Sequence, residues 1–239
     1  MNRPENTPHT RGLFGYVTGG ISNPGLTNID ITAVNRRSTI VLYIGELIGR
    51  KQGGSSITNC YVSGVNMIGG RDIEASGLVD AQRDNTIISA CYVLNVTGTR
   101  SMPNVDPRLF PSRFASLIGN QTGNSVVTAC YAGGMDYEIF ILQARQVSGL
   151  STTVNYSYHQ AASINDADAA VRAKTKAALQ GPTDYTGIYA DWDDLDADGS
   201  ADSETFWDFG TGSRYPVLKG IDVNRDGNMD AADLAAQRP

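Results

Sequence analysis

The residues best suited to chemistry form a 12-residue run near the C-terminus, from residue 222 to 233, with oxygen-bearing side chains at alternate positions. Gly227 stands sixth in the run, where a loop that wraps an ion must turn sharply. Calcium takes roughly six to eight hard oxygen ligands, which such a loop supplies. The run therefore predicts a calcium site whose ligands are Asp222, Asn224, Asp226, Asp230, Asp233 and the backbone carbonyl of Asn228.

A second run, residues 194–205, begins in the same way but ends on Thr205 rather than on an acid. Glu204 stands next to that last position, and nearby aspartates are available to complete a ligand shell. The alternative is a solvated acidic loop without an ion. The second set of predicted calcium ligands is Asp194, Asp196, Asp198, the Ser200 carbonyl and Asp202.

The charge of the chain is divided unevenly between these loops and the rest. The 239 residues carry a net charge of −6, with −9 in residues 181–239 and +3 in residues 1–180. An overall acidic balance disfavours nucleic acid and anionic membrane surfaces as partners, because both require a basic face. No apolar run is long enough to cross a membrane, so we expect no membrane insertion. Two bound calcium ions would offset much of the C-terminal acidity.

Three gapless repeats precede the acidic part, at residues 46–62, 77–93 and 116–132. Each has a leucine 13 residues before a Cys-Tyr pair, and with degenerate copies on either side the leucines are spaced by 34, 31, 39 and 33 residues. The repeated segments are short, rich in β-branched residues and bounded by Gly, Asn and Ser, which indicates strands. We therefore predict a mainly β fold, a β-solenoid of the parallel β-helix type with about 4–5 irregular coils.

Equal repeat positions form columns in such a stack, because neighbouring coils pair strand on strand. Ile57, Ile88 and Val127 are expected to form one inward column. The directions of the Cys and Tyr columns stay open, since strict alternation places them on opposite faces and a bend in the strand would be needed to bury both. The cysteines are either a ladder of small buried thiols or a metal or redox site, and a disulfide between adjacent coils would need demanding geometry. The two columns comprise Cys60, Cys91 and Cys130, and Tyr61, Tyr92 and Tyr131.

The repeats resemble a known bacterial family. GLFG at Gly12–Gly15, its degenerate copies ELIG, GLVD and SLIG, and ITNCYVSG at Ile57–Gly64 are similar to GLUG motifs. That resemblance covers residues 12–160 and implies an extracellular scaffold within a large secreted or surface-attached protein, adhesins included. Asp80 departs from the motif where its final glycine is expected.

A helix is predicted over residues 161–181, which are alanine-rich, begin with capping and acidic residues, and end at Gly181 and Pro182. It would cover an open end of the stack or, alternatively, bind a partner. Residues 182–220, called here the closing segment, contain Trp192 and Trp207. This aromatic pair would form a local core or grip a sugar.

The final loop resembles one half of a type I dockerin, or an EF-hand-like loop, with ADLAAQR as its exit helix. Dockerins carry two such loops and bind cohesins through their exit helices. Ala231 and Ala232 stand where recognition side chains are expected, so the resemblance implies a metal loop rather than cohesin docking. The chain is thus divided into an N-terminal arm, a repeat region, a helix, the closing segment and a calcium loop, over residues 1–11, 12–160, 161–181, 182–220 and 221–239.

No nucleophile, zinc or phosphate-binding motif occurs in the sequence, so we do not expect an enzyme. The favoured function is a calcium-stabilised structural or adhesive module at the bacterial cell surface, which self-associates into a fibre or joins other domains of a surface protein. One alternative is a carbohydrate-binding module that uses the tryptophans and the Tyr column. The other is a β-helix enzyme that degrades polysaccharide with residues on a groove, the candidates being Arg50, Lys51, Asp72, Arg83 and Asp84.

Overall fold

The computed structural model is mainly β, with four parallel sheets, one antiparallel strand pair and two α-helices in the part of the chain that it describes. No helix in that part is long and apolar enough to cross a membrane. The described residues are 9–33, 42–69, 73–100, 113–115, 117–134, 143–146, 153–160, 173–193, 206–210, 213–221, 223 and 230–237.

The four parallel sheets are built from strands β1 to β20. Sheet 1 contains, in spatial order, β1 (His9–Arg11), β5 (Leu42–Gly45), β9 (Ile73–Ser76) and β13 (Arg113–Ala115). Sheet 2 contains β2 (Phe14–Val17), β6 (Ile48–Gln52), β10 (Val79–Arg83), β14 (Ile118–Thr122) and β17 (Gln143–Gln146). Sheet 3 contains β3 (Ile21–Ser22), β7 (Ser56–Thr58), β11 (Ile87–Ser89), β15 (Val126–Thr128) and β18 (Thr153–Asn155). Sheet 4 contains β4 (Gly25–Ala33), β8 (Tyr61–Gly69), β12 (Tyr92–Arg100), β16 (Tyr131–Gly133), β19 (Tyr158–Gln160) and β20 (Ala173–Lys174).

The C-terminal quarter contributes shorter elements. They are α1 (Lys176–Gln180), a 3-10 helix (Gly187–Tyr189), the antiparallel pair β21 (Trp207–Asp208) and β22 (Val217–Leu218), and α2 (Ala231–Gln237). Helix α2 confirms the exit helix predicted after the last acidic loop.

Each passage of the chain through the sheets is called here a round. The first four rounds add one strand to each of sheets 1 to 4, and the described residues of the fifth add one strand to each of sheets 2, 3 and 4. The register joins equal repeat positions: Ile88 pairs with Ile57 on one side and with Val127 on the other. All three side chains are fully buried in an aliphatic core, which confirms the predicted inward column. The leucines of the GLUG-like motifs, where the chain passes from sheet 1 to sheet 2, point into the same core from Leu47, Leu78 and Leu117.

A backbone bend separates the Cys column from the Tyr column. The residue before each cysteine has a left-handed conformation, with φ of 56° at Asn59, 47° at Ala90 and 48° at Ala129. Because this bend interrupts the alternation of side chains, the cysteines enter the aliphatic core while the next tyrosines enter a second, aromatic core. The bend that the sequence required is therefore present, and each predicted strand is split into a sheet 3 strand and a sheet 4 strand.

Two predicted boundaries differ from the structure. His9–Arg11, assigned to an N-terminal arm over residues 1–11, instead forms β1, because the edge of β5 offers backbone partners. Ala173 and Lys174, assigned to a helix over residues 161–181, instead form β20 beside β19. Pairing with an open strand edge here outweighs the helix propensity of alanine. The helix is limited to α1 within residues 173–181, and residues 161–172 lie outside the described residues.

Glu46 and Lys51 are charged side chains whose burial no sequence pattern predicted. Glu46 lies between sheets 1 and 2 at 4% exposure, and burial raises the pKa of its carboxyl to about 8. Lys51 is fully buried, and burial lowers the pKa of its ammonium to about 8; the Lys51 amine donates to the Gly19 carbonyl. Glu46 shares a cavity with Arg11 and Asp30, the charged groups that face it.

We predict that Glu46→Gln removes a pH dependence of stability. Because the pKa of Glu46 is higher in the folded chain than its ordinary value of 4.5, folding takes up a proton, and the free energy of unfolding falls as pH rises from 5 to 7. The fall is at most about 2–3 kcal/mol across those two units. Lys51, whose pKa in the folded chain is about 8, is largely protonated in both states over this window and contributes little slope. Urea unfolding at pH 5, 6 and 7 measures the effect.

The control is Asp84→Asn, which neutralises an exposed carboxyl and should leave the slope unchanged. An equal slope in Glu46→Gln and in the unmodified chain would contradict the assignment.

Candidate calcium site and the aromatic core beneath it

The structure describes two of the eleven predicted calcium ligands, Asp230 and Asp233. Both lie at the C-terminal end of the 222–233 run, where α2 begins. The other nine lie outside the described residues, namely Asp222, Asn224, Asp226, Asn228, Asp194, Asp196, Asp198, Ser200 and Asp202.

Asp233 ties the two ends of the run together. Its side chain is 1% exposed. Its Oδ1 accepts the backbone N–H of Val223 at 2.8 Å, and its Oδ2 accepts that of Asp230 at 2.9 Å. The position-12 carboxylate therefore closes the loop with protein hydrogen bonds.

Asp230 caps the exit helix. It immediately precedes α2, and its Oδ1 accepts the N–H of Ala232 at 2.7 Å, a contact typical of an N-cap. Both carboxylates thus sit where the loop turns into the helix. This fits a calcium loop, in which hard oxygens converge and each carboxylate oxygen has a further lone pair for an ion. Within the described residues no three His, Cys, Asp or Glu side chains form a metal-binding group, so calcium stays a prediction.

Helix α2 is attached to the repeats through a buried amide. Gln237 is 1% exposed, and its side chain donates to the Leu218 carbonyl at 3.0 Å and accepts the Leu218 N–H at 3.2 Å. The same Oε1 accepts the hydroxyl of Tyr92 at 3.1 Å. One side chain therefore joins the exit helix, the closing segment and sheet 4.

The Tyr column provides the surface on which these parts rest. The rings of Tyr61, Tyr92 and Tyr131 are stacked, with centroids 5.1 and 5.4 Å apart. In the preceding round the equivalent position is Gly25, where a Cβ would lie 2.0 Å from the Tyr61 ring. Glycine is thus required there for the stack to close against β4.

Both tryptophans cover this stack. Trp192 and Trp207 are each 1% exposed, and their ring centroids lie 4.5 Å apart. Trp192 stacks on Tyr131 at 5.9 Å, and Trp207 tilts against Tyr92 at 6.1 Å. These contacts form the local core that was one of the two interpretations of the aromatic pair. Because both rings are buried, neither tryptophan offers an exposed aromatic face on which a sugar could stack.

The three cysteines are fully buried free thiols. Each Sγ donates to the carbonyl two residues earlier, at 3.2 Å for Cys60 and 3.1 Å for Cys91 and Cys130. Burial raises the pKa of the Cys91 thiol well above its ordinary value, with neighbouring thiols adding to the effect. Burial makes all three thiols inert, and the raised pKa of Cys91 adds to this, which favours a structural ladder over a redox site.

The residues considered for an enzymatic groove differ in burial, and Arg83 among them is half-buried. Lys51 points into the interior and is fully buried, whereas Arg50 is half-buried and Asp84 is exposed. Asp72 lies outside the described residues. A groove built on this set would lack its buried lysine.

We predict that Asp233→Ala destabilises the chain even without calcium. The substitution leaves the N–H groups of Val223 and Asp230 without their acceptor, at a cost of about 1–3 kcal/mol for two part-buried hydrogen bonds. Chemical unfolding in excess EGTA measures this, because no ion is then present to be lost.

The matched variant is Asp230→Ala, which removes one exposed helix cap and should cost about 1 kcal/mol. Equal stability of Asp233→Ala and the unmodified chain in EGTA would show that this carboxylate does not hold the loop.

Comparison with protein-family models, with curated proteins and with solved structures finds no match for this chain. The resemblances to GLUG repeats and to a dockerin loop therefore stay predictions that depend on the residues alone.

Proposed function

We propose that the chain is an extracellular structural module of a bacterial surface protein, in which the four parallel sheets are the faces of a β-solenoid that stacks end to end with a second copy. The closing segment and the calcium loop would cover and stabilise the face of this stack that sheet 4 forms. This function requires a stiff stack of repeats, a terminal round whose strands can pair with another copy, and a C-terminal region that calcium stabilises.

The observation that carries this proposal is the uncovered apolar end at the first round. Leu47, Leu78 and Leu117 are fully buried, whereas Leu13, the equivalent residue of the first round, is 61% exposed. Phe14 is 40% exposed although its register partner Ile48 is fully buried. Within the described residues no strand lies beyond the first round, and side chains that belong to a core by position are exposed there.

A second copy is the occupant that best continues this end. Strands β1 to β4 are the outermost strands of their sheets, so their backbone groups face outward along the stack. The pairing that β2 makes with β6 repeats the pairing of β6 with β10, so one more strand of the same repeat type would extend every column in register. Contact between the first round of one copy and the last round of the next is heterologous, and such contacts build filaments.

In this proposal calcium stabilises the closing segment on the repeats. A C-terminal quarter with a net charge of −9 repels itself, and ions held by the two predicted loops would relieve that repulsion. The loop that ends at Asp233 leads directly into α2, whose Gln237 contacts Tyr92. Millimolar extracellular calcium saturates even modest loop sites, which supports a location outside the cell.

We predict that Leu13→Lys prevents end-to-end association. In millimolar calcium the unmodified chain should form species larger than a monomer that grow with concentration, because burial of the first round releases water from apolar surface. A lysine in that interface would be desolvated without a partner. Sedimentation velocity over a hundredfold concentration range measures the distribution.

Ile87→Lys is the control, since Ile87 is an apolar residue that is 44% exposed on the side of the stack rather than at its end. If the unmodified chain stayed monomeric at every concentration, the fibre proposal would be contradicted. An equal loss of association in Ile87→Lys would place the contact elsewhere.

We predict that two calcium ions raise the melting temperature and that EGTA reverses the rise. A site filled at a hundred times its Kd stabilises the folded chain by about 2.7 kcal/mol. Asp226→Ala and Asp196→Ala should each remove one of the two ions, as measured by titration calorimetry. Magnesium is the control ion, because it requires a smaller octahedral shell and retains its water. A melting temperature that EGTA leaves unchanged would contradict the proposal that calcium stabilises the closing segment.

A further inference from the structure

A cavity of about 510 Å³ lies where sheet 4 meets the C-terminal elements. Its size is within the range of roughly 300–1,000 Å³ that is typical of small-molecule sites. Sheet 4 contributes Asn95 and Gln160, α1 contributes Lys176 and Gln180, and the closing segment contributes Arg214 and Tyr215. The cavity is thus assembled only when the C-terminal quarter rests on the repeats.

The charge of this cavity is opposite to that of its surroundings. Residues 181–239 carry a net charge of −9, yet the charged side chains among the described lining residues are the cations Lys176 and Arg214. Both are exposed, and within the described part of the chain neither forms an ion pair. Two cations that line one cavity, with no carboxylate among the described lining residues, provide a site for an anion.

The amide of Gln160 is held in a fixed orientation. Its Oε1 accepts the backbone N–H of Gly134 at 3.0 Å and also accepts the hydroxyl of Tyr215. Its Nε2 has no hydrogen-bond acceptor among the described residues, so this group is a donor available to a ligand. The side-chain amides of Asn95 and Gln180 add groups that both donate and accept hydrogen bonds.

We propose that this cavity binds the acidic sugar unit of an anionic polysaccharide. The carboxylate or sulfate of the sugar would pair with Lys176 and Arg214, and its hydroxyls would exchange hydrogen bonds with the amides. A bare inorganic anion would form ion pairs with the cations but would leave the amides without a ligand partner. A neutral sugar would form hydrogen bonds with the amides but would leave the cations without a counter-charge. The proposal goes beyond the structural function and is independent of end-to-end association.

The experiment compares oligosaccharides that differ in one feature. Trigalacturonate is titrated into the full chain in calcium buffer and followed by calorimetry, beside its methyl ester, a sulfated disaccharide and sodium sulfate. Binding of trigalacturonate or of the sulfated sugar at least tenfold tighter than the methyl ester supports the proposal, and the better of the two identifies the anion. Equal binding of the methyl ester, equal competition by inorganic sulfate, or no saturation by either charged sugar overturns it.

Three variants test the assigned residues. Arg214→Gln and Lys176→Gln each remove a charge-assisted hydrogen bond and should weaken binding about tenfold or more. Gln160→Glu keeps an acceptor for Gly134 and Tyr215 but replaces the donor with a negative charge, so binding should be lost while the melting temperature is retained. Lys219→Gln, the same charge change outside the cavity, should bind as the unmodified chain does. The site assignment would be contradicted if the three variants bound as tightly as the unmodified chain. It would also be contradicted if Lys219→Gln lost as much affinity as they do.

Discussion

The stack formed by Tyr61, Tyr92 and Tyr131 depends on a backbone bend that recurs two residues before each ring. At Asn59, Ala90 and Ala129 the chain takes a left-handed conformation, which costs a non-glycine residue about 1 kcal/mol or more. The bend turns each cysteine inward and each tyrosine outward. Parallel pairing then repeats this choice in every round, so the outward rings fall on one line and form a continuous aromatic surface.

That surface explains how a polar C-terminal quarter acquires a fixed position. In its described residues the closing segment has two short strands and one turn of 3-10 helix, too little secondary structure to form a core by itself. Its tryptophans complete their burial on rings that belong to the repeats. Because both tryptophans of the closing segment pack on the Tyr stack and on each other, we expect the segment to undock as a unit rather than residue by residue.

The sequence predicted the repeated strands, the inward aliphatic column and the exit helix, because each depends on local pattern or on a column that the repeat period defines. It left the Tyr direction open, since strict alternation applies only to an unbroken strand. The role of Gln237 lay beyond sequence reasoning: an amide at the end of a short helix has no local signal that it will meet Tyr92, 145 residues earlier. The strand at Ala173 was missed for a related reason, because alanine favours helix until the edge of β19 supplies backbone partners.

Aromatic burial holds the C-terminal quarter, and the predicted calcium loops would add a second force that responds to different conditions. Aromatic burial against Tyr92 and Tyr131 does not require calcium, because it depends on apolar area. The acidic loops, if they bind calcium as predicted, would depend on the ion that neutralises them. Removing calcium should accordingly loosen the loop ahead of α2 before it frees the tryptophans. The cavity lined by Lys176 and Arg214 is also lined by α2 through Ala235. If the predicted loop binds calcium, the shape of the cavity should depend on the ion.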